Sequence, residues 1–191
     1  MGNAGDGLCD GYGERGLTMP LEGEYMGMPV FIDDLDRDNL SFYCYCGNNE
    51  LRVQECSACH LKRLPPTSAC PFCSSEEMEW VLVTGKGTVY SYGEVQHAIQ
   101  GAFKPHLPYH LLLVELDEQK DLPNAYDGLR LQGNLAEPDG SLAGPKTVQQ
   151  VGIGTRVTVV FKRMGDQLSM PLWTIDKDAD QPEAPWRYPI E

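Results

Sequence analysis

The sequence predicts a mainly β protein in which a short helix and a small metal-binding ribbon precede a five-stranded barrel. Three observations lead to this expectation. Two cysteine pairs, each with two residues between its members, stand within eighteen residues, at Cys56/Cys59 and Cys70/Cys73. Stretches rich in β-branched and aromatic residues follow the second pair. Gly- and Pro-bearing turns separate these stretches, and no long helical repeat lies between them.

The first 35 residues are acidic and Gly-rich, without helical or strand periodicity. They are predicted to form an extended acidic arm, with a disordered tail as the alternative. A short helix is expected next, because Asp36 offers an N-capping carboxylate and Leu40 begins an apolar repeat. The Gly47-Asn48-Asn49 sequence ends that helix.

The ribbon module is predicted to extend over residues 36–78, helix included. A Pro-rich loop at residues 64–69 brings the second cysteine pair back to the first. Tetrahedral sulfur ligation suits zinc, and equally a single iron. Two structural disulfides are the alternative to a bound metal. His60, directly after Cys59, is interpreted as part of the knuckle turn and not as a ligand. The predicted metal ligands are Cys56, Cys59, Cys70 and Cys73.

The expected cellular compartment and the net charge of the chain exclude some classes of function. No basic start with an apolar stretch behind it opens the chain, and no run of about twenty apolar residues occurs, so a cytoplasmic protein with reduced thiols and no membrane segment is expected. The net charge is −13. Residues 1–40 carry nine acidic and two basic residues, and residues 176–191 carry five and two, whereas the body is nearly balanced. Because polyanion binding needs a dense Lys/Arg surface, nucleic acid is not the expected partner.

The barrel is predicted over residues 79–176. Its first strand runs through residues 79–84, bends or bulges at Gly85-Lys86-Gly87 and resumes at residues 88–95. Five strands are the number in an OB-type barrel, which hides its own edges. The Pro-rich tail at residues 177–191 is predicted to be extended, with Trp186 and Tyr188 docked on a partner or on the barrel. The other four strands are expected at residues 110–116, 129–135, 156–162 and 170–175.

Several of these features follow a fixed order along residues 36–163. The helix and four-Cys ribbon are followed by an apolar entry strand, residues 85–92, the Pro108-Tyr109 pair leading into residues 113–118, and residues 151–157. The series resembles the OB-fold, acyl-CoA-associated family with an N-terminal rubredoxin-like zinc ribbon. Residues 119–125 depart from the family pattern by lengthening a loop that usually continues directly with a Gly.

The resemblance implies an accessory subunit that has no catalytic residues of its own and binds a thiolase-like or aldolase catalytic subunit. Such partners perform Claisen condensation, thiolysis or retro-aldol cleavage on acyl-CoA, and the ribbon subunit helps to form the CoA site. The implied cofactors are a structural Zn²⁺ and a coenzyme A thioester shared with the partner. The residues agree, because no Ser-His-Asp set, catalytic Cys-His pair or paired carboxylates are apparent.

Few cations are available to contact the phosphates of CoA. Lys86 and Lys104 are the candidate CoA-binding residues, together with the Lys62-Arg63 pair, and solvated surface charge is the alternative. Two other functions stay open. Tyr90 and Tyr92 are candidate stacking platforms for a single-stranded nucleic acid, although the charge opposes this. A single iron in the four-Cys site would instead indicate electron transfer.

Overall fold

The computed structural model describes residues 20–33 and 35–189, which form two compact units. The first unit consists of the described residues up to Val83 together with Arg163–Met170. The second consists of Thr84–Lys162 and the described residues from Pro171 onward. No helix within these described residues combines the length and the apolar character needed to cross a membrane.

The first unit begins with a β-hairpin of β1 (Leu21–Tyr25) and β2 (Met28–Ile32). Met26 and Gly27 both have positive φ, as a two-residue hairpin turn requires. The hairpin corrects the expectation of an extended arm without strands over residues 1–35. The side chains of Val30 and Ile32 face inward and alternate with outward ones, as in a strand. The hairpin was not predicted because Met-Gly is not a common turn sequence. Residues 1–19 of the predicted arm lie outside the described residues.

A short helix, α1 (Arg37–Gly47), follows the hairpin and confirms the prediction. The Asp36 carboxylate accepts a hydrogen bond from the Asn39 amide at 3.3 Å, as an N-cap does. Leu40 and Tyr45 on this helix are almost completely buried and pack with Leu21 and Leu168 in one apolar cluster. This cluster is the core on which the ribbon is built.

The ribbon is a three-stranded antiparallel sheet of β3 (Arg52–Cys56), β4 (Lys62–Arg63) and β5 (Met78–Leu82), in the order β4-β3-β5. Here the structure corrects the strand assignment, because residues 79–84 were expected to open the barrel. Val53 instead pairs with Val81 in this sheet. Gly85, with a φ of +71°, marks the break between β5 and the following strand.

The second unit confirms the predicted five-stranded OB-type barrel. Its strands are β6 (Lys86–Val95), β7 (Tyr109–Leu116), β8 (Arg130–Asn134), β9 (Arg156–Arg163) and β10 (Ser169–Ile175). They lie in the order β10-β9-β6-β7-β8, and a bridge between Leu135 and Trp173 connects the two ends of the sheet. A register shift between Val89 and Ser91 bends the longest strand, β6. A 3₁₀ helix, Gly101–His106, precedes β7, and a short helix, α2 (Pro145–Val148), precedes β9.

Candidate functional site

The two cysteine pairs form two knuckles with the same backbone geometry. In each knuckle, the residue after the second cysteine donates its amide to the carbonyl of the first, from His60 to Cys56 at 2.9 Å and from Ser74 to Cys70 at 2.8 Å. Both residues have positive φ, 59° for His60 and 64° for Ser74. His60 is therefore part of the turn, as its position in the sequence indicates.

The knuckles bring four sulfur atoms together. All four lie within 4.8 Å of one another, and they belong to Cys56, Cys59, Cys70 and Cys73. The Cys56–Cys73 and Cys59–Cys70 sulfur pairs are 3.5 Å and 3.6 Å apart. Four thiolates at the usual zinc–sulfur distance of about 2.3 Å stand about 3.8 Å from one another, so the cluster has the size that a single tetrahedral ion needs. The donor set suits zinc and a single iron alike.

Backbone amides donate to these sulfurs, but the resulting pKa values differ from one cysteine to another. The Cys59 amide donates to the Cys56 sulfur and is the main reason that the pKa of Cys56 falls to about 6. The Leu61 amide acts on Cys59 in the same sense, but desolvation and hydrogen bonds to the other sulfurs outweigh it and raise the pKa of Cys59 to about 12. Without a metal, the cluster thus keeps some protons between its sulfurs. A cation replaces them, because all four ligands bind as thiolates.

A buried polar network supports the loop between the knuckles. Gln54, completely buried on β3, accepts hydrogen bonds from Arg63 Nε and from the Thr67 amide, each at 2.8 Å. Its amide nitrogen donates to the Asp38 carboxylate on α1 at 3.1 Å. Gln54 thereby connects the helix, two strands and the Pro-rich loop. The sequence does not reveal this role, because Gln54 alternates with the buried Val53 and is expected to face solvent.

The candidate CoA-binding cations differ in how they are engaged. Lys86 Nζ lies 3.0 Å from the Asp176 carboxylate, and this hydrogen bond is the main reason that the pKa of Asp176 is lowered. Lys62 pairs with a glutamate in the ribbon, and Arg63 is 4% exposed. Lys104 is exposed on the 3₁₀ helix that precedes β7. Of these four residues, Lys104 is the most accessible to a phosphate.

The two candidate stacking tyrosines are both engaged within the second unit. The guanidinium of Arg130 lies 3.6 Å from the centre of the Tyr90 ring. The hydroxyl of Tyr92 accepts a hydrogen bond from the amide of Tyr188 in the tail, at 2.9 Å. Arg130 occupies a face of Tyr90 on which a base would stack, whereas the bond to Tyr92 uses its hydroxyl and not its ring. The structure therefore gives that function no support.

Arg130 also fixes the lengthened loop that follows β7. It donates to the carbonyls of Ala125 and Tyr126 at 2.9 Å and 2.8 Å. The same guanidinium contacts the Glu115 carboxylate at 2.9 Å and 3.2 Å, and both side chains are largely buried. The loop that is expected to depart from the family pattern is thus held by Arg130.

Comparison with known proteins places this architecture in a family. A family model described as the C-terminal OB-fold domain of ChsH2 matches residues 80–162. A chain in the solved structure of an Ltp2–ChsH2(DUF35) aldolase is 31% identical, with a TM-score of 0.57. That match covers 73% of this chain and 94% of the other. The chain belongs to the ChsH2/DUF35 family. This confirms the resemblance found in residues 36–163.

Two further relatives are named as a subunit of an enzyme and as a scaffold protein. A probable enoyl-CoA hydratase alpha subunit of Thermomonospora curvata is 31% identical over 141 residues, or 73% of this chain. The chain spans only 38% of that relative's length. A DUF35 domain-containing scaffold protein of Methanocaldococcus jannaschii is 29% identical over 64% of this chain and 70% of its own length.

Proposed function

We propose that this chain is a non-catalytic accessory subunit that binds a thiolase-like or aldolase catalytic subunit acting on acyl-CoA. The observation that carries the proposal is the match over 94% of a chain in the Ltp2–ChsH2(DUF35) aldolase. The name of the scaffold relative supports it. In this proposal, the barrel and the ribbon bind the partner and stabilise its structure, and the partner supplies the reacting groups. The complex acts in the cytoplasm.

The metal has a structural role in this proposal. The four sulfurs of the knuckles hold Zn²⁺, which replaces the protons shared between them and fixes the two turns relative to each other. A ribbon of three short strands has little apolar content of its own, so ion binding supplies much of its folding free energy. A single iron would bind with the same geometry, and metal analysis of the purified protein distinguishes the two ions.

The subunit also contributes cations to the CoA site that it shares with the partner. Lys104 is accessible, whereas Lys86 must exchange its contact with Asp176 for a phosphate oxygen. We therefore expect Lys104→Ala to weaken CoA binding by the complex without lowering the stability of this chain. Lys86→Ala should weaken CoA binding and also lower the stability of this chain, because it removes the contact with Asp176. Lys146→Ala removes the same charge from α2 and serves as the control.

The experiment that tests the proposal is isolation of the complex. The full chain, tagged and expressed in its native host, should co-purify with a thiolase-like or aldolase protein. The chain alone should show no C–C bond cleavage or formation on acyl-CoA, and adding it to the isolated partner should restore activity. Activity of the isolated chain, or an unchanged activity of the partner without it, would contradict the proposal.

A further inference from the structure

The second unit contains a cavity that the proposed function does not use. It has a volume of about 300 Å³ and lies between strand β6 and the C-terminal tail. Three aromatic rings, one carboxylate, one guanidinium and one branched aliphatic side chain line it. They belong to Tyr92, Trp186, Tyr188, Glu94, Arg187 and Ile153.

Main-chain hydrogen bonds hold the tail side of this cavity in place. The Ile153 amide donates to the Trp186 carbonyl at 2.8 Å, and the Trp186 amide donates back at 3.1 Å. The Tyr188 amide donates to the Tyr92 hydroxyl at 2.9 Å. Gly152 permits this close approach, because a Cβ at that position would overlap the Trp186 carbonyl. The tail is thus fixed without burying its aromatic rings.

The rings of Trp186 and Tyr188 in the tail are exposed and nearly perpendicular to each other. Trp186 is 54% exposed and Tyr188 is 74% exposed. Their planes meet at 84°, with centroids 6.3 Å apart. Rings that contribute so little to the buried core leave their electron-rich faces available to a ligand. Perpendicular aromatic faces beside a carboxylate are the arrangement that receives organic cations.

One carboxylate, that of Glu94, lies beside these rings. Glu94 contacts the buried His110 at 3.0 Å, through Nε2. Burial lowers the pKa of His110, so the imidazole adds no positive charge beside Glu94 at pH 7. Arg187 also lines the cavity, and its guanidinium donates to the carbonyl of Gln149. Its positive charge opposes that of Glu94, so the aromatic faces must supply much of the attraction for a ligand cation. The chain as a whole has a net charge of −13, which also attracts cations.

We propose that this cavity binds the ammonium group of a small organic cation of the quaternary ammonium class. The rings of Tyr92, Trp186 and Tyr188 receive the alkylated nitrogen through cation–π contacts, and Glu94 supplies the opposite charge. Ile153 provides the apolar wall against which the alkyl groups pack. The site is independent of the four-Cys cluster and of Lys104.

The test uses choline as the probe and 3,3-dimethylbutan-1-ol as its uncharged counterpart of the same shape. The indole N–H resonance of Trp186 in the full chain, assigned with Trp186→Leu, is followed during each titration. Choline should shift it saturably, whereas the neutral alcohol should bind about tenfold more weakly or worse, because it lacks the cation–π attraction. Glu94→Gln should also weaken choline binding.

A matched pair at Tyr188 separates ring chemistry from loss of the fold. Both variants keep the hydrogen bond from the amide of residue 188 to the Tyr92 hydroxyl. Tyr188→Phe also keeps an aromatic face, so it should retain choline binding, whereas Tyr188→Leu should lose most of it. Thermal unfolding should be unchanged in both variants. Equal binding of choline and the neutral alcohol, equal behaviour of the two Tyr188 variants, or no saturable shift would each overturn the proposal.

Discussion

His60 and Ser74 occupy equivalent positions in the two knuckles, each following a second cysteine and each with a positive φ, of 59° and 64°. This left-handed conformation costs a residue with a side chain about 1–2 kcal/mol. The turn requires it, because the amide at this position must reach the carbonyl of the first cysteine. Both residues are exposed, so their side chains contribute little that offsets the cost.

Replacing Ser74 by Gly should therefore stabilise the metal-loaded chain, by about 0.5–1 kcal/mol after the extra entropy of the unfolded Gly is subtracted. Ser74→Val should destabilise it by about 1 kcal/mol or more, because a β-branched residue fits this conformation poorly. Thermal unfolding measures both. Ser57→Gly, in the first knuckle at a position without positive φ, is the control and should be destabilising. Stabilisation by Val would contradict the argument.

Removing one sulfur of the cluster should release the metal. Cys70→Ala leaves three thiolates, and the expected result is a large loss of bound metal and of ribbon stability. Cys46→Ala is the matched control, because Cys46 is an equally buried free thiol on α1 outside the cluster. It should keep a single metal ion per chain. Elemental analysis gives both results, and it identifies the metal. Equal metal content in the two variants would refute assignment of the four sulfurs as ligands.

Arg130→Met should destabilise the second unit, by about 3 kcal/mol if the Glu115 carboxylate is left buried without its partner. Glu115→Gln in the same variant should recover part of this loss, because the unpaired charge is gone. Urea unfolding of the single and double variants provides the measurement. Arg130→Lys keeps the charge but loses the double contact to the loop carbonyls, so an intermediate value is expected. A neutral effect of Arg130→Met would show that the loop is held by other groups.

The contact between Lys86 and Asp176 should make stability depend on pH in the acid range. The pKa of Asp176 is lowered in the folded chain, mainly by its hydrogen bond to Lys86. The stabilisation is therefore fully present above the ordinary Asp pKa of about 3.9 and is lost as the pH falls through the lower folded value. Lys86→Met should be less stable than the parent at pH 7, with the difference shrinking below about pH 4. Lys177→Met, an equal change of charge at an exposed neighbour, should show no such convergence.

The chain should not bind single-stranded nucleic acid tightly at physiological salt. Its negative charge opposes counterion release, and Arg130 already occupies a face of the Tyr90 ring. Fluorescence anisotropy with labelled DNA and RNA oligonucleotides measures this. Submicromolar binding would restore the nucleic-acid alternative.

Local chemistry made much of the fold predictable. The spacing of the cysteines determines the knuckles, Asp36 caps its helix in both sequence and structure, and the strands of the barrel have clear β character. The assignment of residues 79–84 failed for a different reason. Their composition predicts a strand correctly, but the choice of partner between β3 and a barrel strand depends on contacts distant in sequence.

The candidate site divides in the same way. The four metal ligands form two pairs, each with two residues between its members, and this spacing alone was enough to find them. The burial of Arg63 and the contact of Lys86 with Asp176 could not be predicted in this way. A lysine or arginine in a strand looks the same in the sequence whether it faces solvent or a buried acceptor. The cavity beside the tail was equally hidden, since Tyr92 and Tyr188 are separated by 95 intervening residues.

The discontinuous make-up of the first unit restricts how the protein can be divided. Leu168, from the Arg163–Met170 segment, packs with Leu40 and Leu21, and the Met164 carbonyl accepts from the amide of Glu24. A fragment that stops at Val83 would lack this return segment and expose an apolar face. Producing the ribbon separately would therefore require a circular permutation or a linker that restores those eight residues, rather than a simple truncation of the gene.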